Sequence, residues 1–176
     1  MYCTVSFDAR QRASFGLFGI LATLLLNACS PSLNWRETRI ADTDLTAMMP
    51  CKPAHHQRSV PIAGLTVTLH MTACDADGAT FAISHAVIPD DSAAPTVLAE
   101  WRKVTLSNMN AATATESALT TASPRVSAQG TRGDGNPVTL HGTWFAQGTH
   151  VFHAAVYAPA ITSEMSETFF SGLKFQ

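Results

Sequence analysis

The stretch His56-Gln57-Arg58-Ser59-Val60-Pro61-Ile62-Ala63-Gly64-Leu65-Thr66-Val67-Thr68-Leu69-His70-Met71-Thr72-Ala73 decides the fold. Its second half alternates strictly, with Leu65, Val67, Leu69 and Met71 on one face and Thr66, Thr68, His70 and Thr72 on the other. That period of two marks a half-buried β-strand. Ala63-Gly64 supplies the turn, so the stretch reads as a hairpin whose partner numbers sum to about 127.

Working outward, Asp75-Ala76-Asp77-Gly78 is a turn, and Ala79 to Ile88 follows as a strand with few polar groups. Such a strand belongs near the middle of a sheet. Asp90-Asp91-Ser92 offers capping oxygens to a helix over 93–110, with Val97, Leu98, Trp101 and Val104 at near-helical spacing. Val138 to Ala146 and His150 to Ala158 form a second hairpin around Gln147-Gly148-Thr149. The chain closes with a helix capped by Thr162 or Ser163, with Glu164 and Glu167 in its first turn, Met165, Phe169, Phe170 and Leu173 as its buried face, and Gly172 as its stop. Residues 111–136 are rich in Ala, Thr, Ser and Gly and show little periodicity, beyond one or two short strands within 118–129. The expected class is α+β, an antiparallel β-sheet with helices packed on its faces.

The N-terminus reads as an export signal. Arg10 and Arg12 precede an apolar run from Phe15 to Leu26, too short to span a bilayer well, since a crossing helix needs about 20 apolar residues. The run ends in Leu26-Asn27-Ala28-Cys29, which resembles the lipobox of bacterial lipoproteins, with Asn27 in place of the more usual small residue. That resemblance implies removal of residues 1–28 and lipidation of Cys29. Ordinary signal cleavage after Ala28 fits less well, because the third residue before the cut is the bulky Leu26. Ser30 after the cysteine, instead of Asp, resembles the signal for passage to the outer membrane. The expected organisation is therefore a signal over 1–28, a lipidated tether over 29–34 and one globular domain over 35–176, anchored at Cys29 and facing the periplasm.

Cys3 lies in the signal and Cys29 is consumed by lipid, which leaves Cys51 and Cys74 for an oxidising compartment. The hairpin register puts them nearly opposite, so a structural disulfide is expected. Without Cys-X-X-Cys spacing, a redox-active dithiol has no support.

Met49-Pro50-Cys51-Lys52-Pro53, Gly64-Leu65-Thr66-Val67 and the closing segment Phe169 to Phe175 resemble, in that order, small exported proteins of the Mog1/PsbP-like kind. The resemblance covers most of residues 45–176 and implies an α/β/α sandwich. Cys51 stands where that pattern usually has glycine, a local gain of the bridge to Cys74. The resemblance implies assembly or binding roles and carries no catalytic motif.

The remaining chemistry is sparse. Beyond residue 28 there are 9 Lys and Arg against 12 Asp and Glu, which excludes a basic field for nucleic acid. Serines abound without Gly-X-Ser-X-Gly, and Asp75, Asp77, Asp90 and Asp91 sit at turns or a cap. Arg132-Gly133-Asp134 matches the integrin-binding triplet but is explained as a turn. Seven histidines are scattered without metal-ligand spacing; His141 and His153 fall on neighbouring strands of the second hairpin, with their register left open. No catalytic residue, metal ligand or cofactor is assigned. The expected function is a non-enzymatic, membrane-tethered module for an envelope protein partner, with periplasmic metal or small-ligand binding as the alternative.

Overall fold

The computed structural model describes residues 33–117 and 124–176. The proposed signal over 1–28, the lipidation site Cys29 and most of the tether lie outside them.

The hairpin at the centre of the sequence forms in the expected register. β3 (Ala54–Ile62) pairs antiparallel with β4 (Leu65–Ala76) from Ile62 opposite Leu65 to Ala54 opposite Ala73. Ala63 (φ 50°) and Gly64 (φ 78°) both adopt the left-handed conformation that a two-residue hairpin turn of this hand requires. β4 then pairs with β5 (Ala79–Val87), and β5 pairs with β9 (His150–Ala158), so the C-terminal hairpin inserts beside the N-terminal meander. β8 (Pro137–Gln147), β7 (Arg125–Thr131) and β6 (Thr113–Ser117) complete a seven-stranded antiparallel sheet in the order β3-β4-β5-β9-β8-β7-β6.

The second sheet overturns the expected fold class. β1 (Arg36–Arg39), β2 (Leu45–Met49) and β10 (Lys174–Phe175) form a separate three-stranded sheet in the order β1-β2-β10. Strands make up 53% of the described residues and helices 20%, so this is a mostly β fold and not a helix-covered α+β sandwich. The physical reason lies in β2. Leu45, Ala47 and Met49 are fully buried against the large sheet, so a strand covers the surface that a helix was expected to cover.

α1 (Ala94–Asn108), preceded by a 3-10 turn at Asp91–Ala93, covers one face of the large sheet, with Val97 and Trp101 packed among Val67, Leu69, Leu140, Trp144 and Val151. On the opposite face the small sheet and α2 (Ser163–Ser171) bury Phe81, Ile83, Phe152, Met165 and Phe169. α2 starts as expected: the Thr162 hydroxyl accepts the Met165 N–H at 3.2 Å, and Glu164 sits in the first turn.

The end of α1 docks tightly on β7. Thr131 N–H donates to the Met109 carbonyl at 2.6 Å, and a Cβ placed on Gly130 would lie 2.2 Å from that same oxygen. Gly130→Ala is therefore expected to destabilise the domain by about 1–3 kcal/mol through displacement of backbone, read by urea unfolding.

Candidate functional site

The cysteine pairing is present. Cys51 and Cys74 are bridged with Cα atoms 6.0 Å apart, fastening the segment after β2 to β4. Just upstream, Asn34 N–H donates to the Pro50 carbonyl at 2.8 Å, and Leu33 and Trp35 pack on the same core. The last residues of the expected tether thus already belong to the fold, so a tether starting at Cys29 could reach at most about 13 Å to Leu33.

His141 and His153 do not converge. β8 and β9 pair with Trp144 opposite His153 and His141 opposite Val156, which puts the two imidazoles on opposite faces of the sheet. Among the described residues no group of three or more His, Cys, Asp or Glu is placed to hold a metal ion.

Each histidine instead has its own setting. His153 is buried under α1, stacked on Trp144 at 4.3 Å between ring centroids and met edge-on by Trp101 at 5.7 Å. Burial pushes its pKa down to about 3, so the ring is neutral at ordinary pH. His141 faces α2, where its Nδ1 lies 2.8 Å from the Ser166 hydroxyl oxygen. Arg125 Nη1 donates to that same oxygen at 3.1 Å and to Glu167 at 2.6 Å, and its guanidinium lies 4.5 Å above the Phe170 ring. Desolvation, and then the Arg125 charge, hold the His141 pKa below its usual value against the opposing pull of Glu167.

A serine within reach of a histidine invites a nucleophile-and-base reading, and no local pattern signals it because the two residues are 25 apart. The surroundings argue against it. Ser166 is only 2% exposed, a guanidinium donates to the oxygen that would have to attack, and the Glu167 carboxylate is held by Arg125. The group acts as a clamp joining β7, β8 and α2.

The densest unforeseen cluster lies on the same face of the large sheet, toward the other end of β9. His70 on β4 is directly across from His85 on β5, and their rings stack at 5.0 Å. His150 on β9 lies 6.3 Å from His85, and Phe152 lies 5.9 Å from it. His55 on β3 sits on the same face, its Nδ1 3.1 Å from the Thr72 hydroxyl. His85 is 3% exposed, and the Nδ1 atoms of His85 and His150 are both buried without a hydrogen-bond partner among the described residues. Arg39, Asp42, Thr43, Asp44 and Gln147 line an open depression beside His150. Because the rings are near parallel, with 15° between His70 and His85, they present their faces to one another and not their nitrogens. Burial, followed by the charges of His70 and His150, lowers the His85 pKa to about 4, while Asp42 pulls the other way.

The edges of the large sheet differ. β6 is five residues long and fastened to α1 by the Arg102–Glu116 ion pair. β3 is nine residues long and, except for Val60 and Ile62, exposed throughout, with no strand paired to its outer side among the described residues.

Together these features define a disulfide-pinned, mostly β domain of two facing antiparallel sheets. No protein-family profile, curated protein or solved structure matches the chain.

Proposed function

We propose that this chain is a lipid-anchored protein of the bacterial cell envelope, held at the outer membrane through Cys29 and facing the periplasm. Its folded domain works without catalysis, as a docking or assembly module for an envelope protein. The observation that carries the docking reading is β3, a long, exposed edge strand with a row of unpaired main-chain donors and acceptors. An extended segment of a partner adds to such an edge by main-chain hydrogen bonds, with alternate side chains setting specificity. Pro61 blocks one donor near the turn, so pairing is favoured over Ala54–Val60, where His56 and Arg58 also suit an acidic strand. The Cys51–Cys74 bridge supports an oxidising compartment, and the short span from Cys29 to Leu33 keeps the domain close to the bilayer.

One experiment in cells expressing the full chain tests both parts. The wild-type protein is expected in the detergent phase on temperature-induced phase separation, and Cys29→Ala in the aqueous phase. A photo-crosslinking residue at Gln57 is expected to trap a discrete protein adduct that the same residue at Val104, on α1, does not. Aqueous partition of the wild type overturns the anchor, and identical adduct patterns at the two positions overturn the β3 edge.

A further inference from the structure

We propose that the His70–His85–His150 row is an acid-operated latch, whose protonation releases the 40–44 turn and β10 from the large sheet. The histidine row lies beside that turn, as the depression shared by His150 with Arg39, Asp42, Thr43 and Asp44 shows. The turn is built for a localised opening. Asp42 is in the left-handed region (φ 59°), Thr43 Oγ1 donates to the Ile40 carbonyl at 2.9 Å and accepts from Leu45 N–H at 3.1 Å, and Gln176 N–H donates to the Asp44 carbonyl at 3.0 Å. The other end of the small sheet cannot follow easily. It is fastened to β4 by the Cys51–Cys74 bridge and packed against the end of α2 where Met48 meets Gly172.

Among the described residues, charged or titratable groups face the row from four elements. From β3 comes His55, from β4 His70 and from β9 His150; from the β1–β2 hairpin come Asp42 and the mutually paired Arg39 and Asp44, 3.9 Å apart and both well exposed. Asp42 alone favours a proton on His85. Against it stand burial and two neighbouring imidazoles, and those win: the His85 pKa is lowered from 6.5 to about 4. A proton therefore reaches this ring most cheaply when the turn lifts and water enters. Burial of Ile40 and Leu45, both fully inaccessible, keeps the latch shut at neutral pH.

The sign follows from linkage. A histidine whose pKa is depressed in the closed state stabilises that state fully above pH 6.5, and this contribution is lost as pH falls toward 4. Between pH 7 and pH 5 the open population is expected to rise about twentyfold.

Hydrogen exchange of the full chain, corrected for the intrinsic pH dependence of exchange, reads this directly. Amides in 40–46 and 174–176 are expected to exchange about twentyfold faster at pH 5 than at pH 7 relative to those of β7 and β8. His85→Phe, which continues the Phe152 packing, is expected to abolish the acceleration. Equal acceleration in the variant, or none in the wild type, overturns the latch. Titration of the His85 ring by NMR in the wild-type chain provides a second measurement that needs no variant. A midpoint near 4 to 5 accompanied by shifts in the 40–44 turn supports the proposal, and a midpoint near 6.5 with the turn unperturbed overturns it.

Discussion

Between pH 7 and pH 4 the domain is expected to lose about 3 kcal/mol of stability through the single side chain of His153. The ring sits between Trp144 and Trp101, 6% exposed, and among the described residues no acidic group offsets desolvation, which lowers its pKa to about 3. In the unfolded chain the same imidazole titrates near 6.5. The folded state therefore binds fewer protons throughout this window; the stabilisation is complete above pH 6.5 and drains away as pH falls toward 3. Set against a typical total of about 5–15 kcal/mol, that loss is large enough to bring acid unfolding into an accessible range. His153→Phe keeps a flat ring between the two indoles and removes the titration. Since the wild-type Nε2 is buried without a partner, the substitution costs little at pH 7. Urea unfolding of both proteins at pH 7 and pH 4 is the measurement. The variant is expected to lose about 3 kcal/mol less than the wild type, and parallel losses would show that this ring does not govern acid stability. Because His153 and His85 lie on opposite faces of the sheet, the two acid responses separate: the first lowers global stability, and the second opens one turn.

The parts of this fold that could be read from sequence are those encoded within a few adjacent residues. The turn at Ala63-Gly64 fixed the β3–β4 register because two positive-φ residues leave one hairpin geometry, and from that register Cys51 and Cys74 fell nearly opposite. Thr162, Glu164 and Gly172 bounded α2 by capping and dipole chemistry that acts within one turn. The small sheet was illegible for the converse reason. β1 is Arg-Glu-Thr-Arg with no apolar alternation, β10 is two residues long, and β2 is a five-residue run flanked on one side by that polar strand and on the other by a segment more than 120 residues away. Two amphipathic helices and the family resemblance then implied helices on both faces, whereas α2 shares its face with that sheet. The histidine row is illegible for the same kind of reason. It depends on β5 lying beside β9, a pairing across more than sixty intervening residues that sets His85 against Phe152 and Val87 against His150. The Ser166–His141–Arg125 clamp likewise joins two strands and a helix that no local pattern relates.

Replacing both bridged cysteines, as Cys51→Ala with Cys74→Ala, is expected to cost about 3 kcal/mol and to lower Tm by about 10 °C. The loop that the bridge closes spans 23 residues, and the chain-entropy cost restored to the unfolded state for a loop of that size is the source of the estimate. Position adds to it. β2 belongs to one sheet and β4 to the other, so the bridge ties together two sheets that share no ladder of hydrogen bonds. With the pin removed, the small sheet keeps only side-chain packing at that end, and the opening that the histidine row permits at the 40–44 turn is expected to spread along β2. Thermal unfolding with and without a thiol reductant checks the first effect: the reduced wild type should match the double variant, and a Tm difference under about 3 °C would refute the stabilising role. Hydrogen exchange at pH 5 checks the second. In the oxidised wild type the fast amides should stop short of Met49, while in the double variant they should run through it. Fast exchange that reaches Met49 with the bridge intact would mean that the cysteines do not set the hinge. A domain that needs its bridge to this degree is better suited to an oxidising compartment than to the cytosol, which is why the stability of the pin bears on the proposed envelope location as well as on the fold.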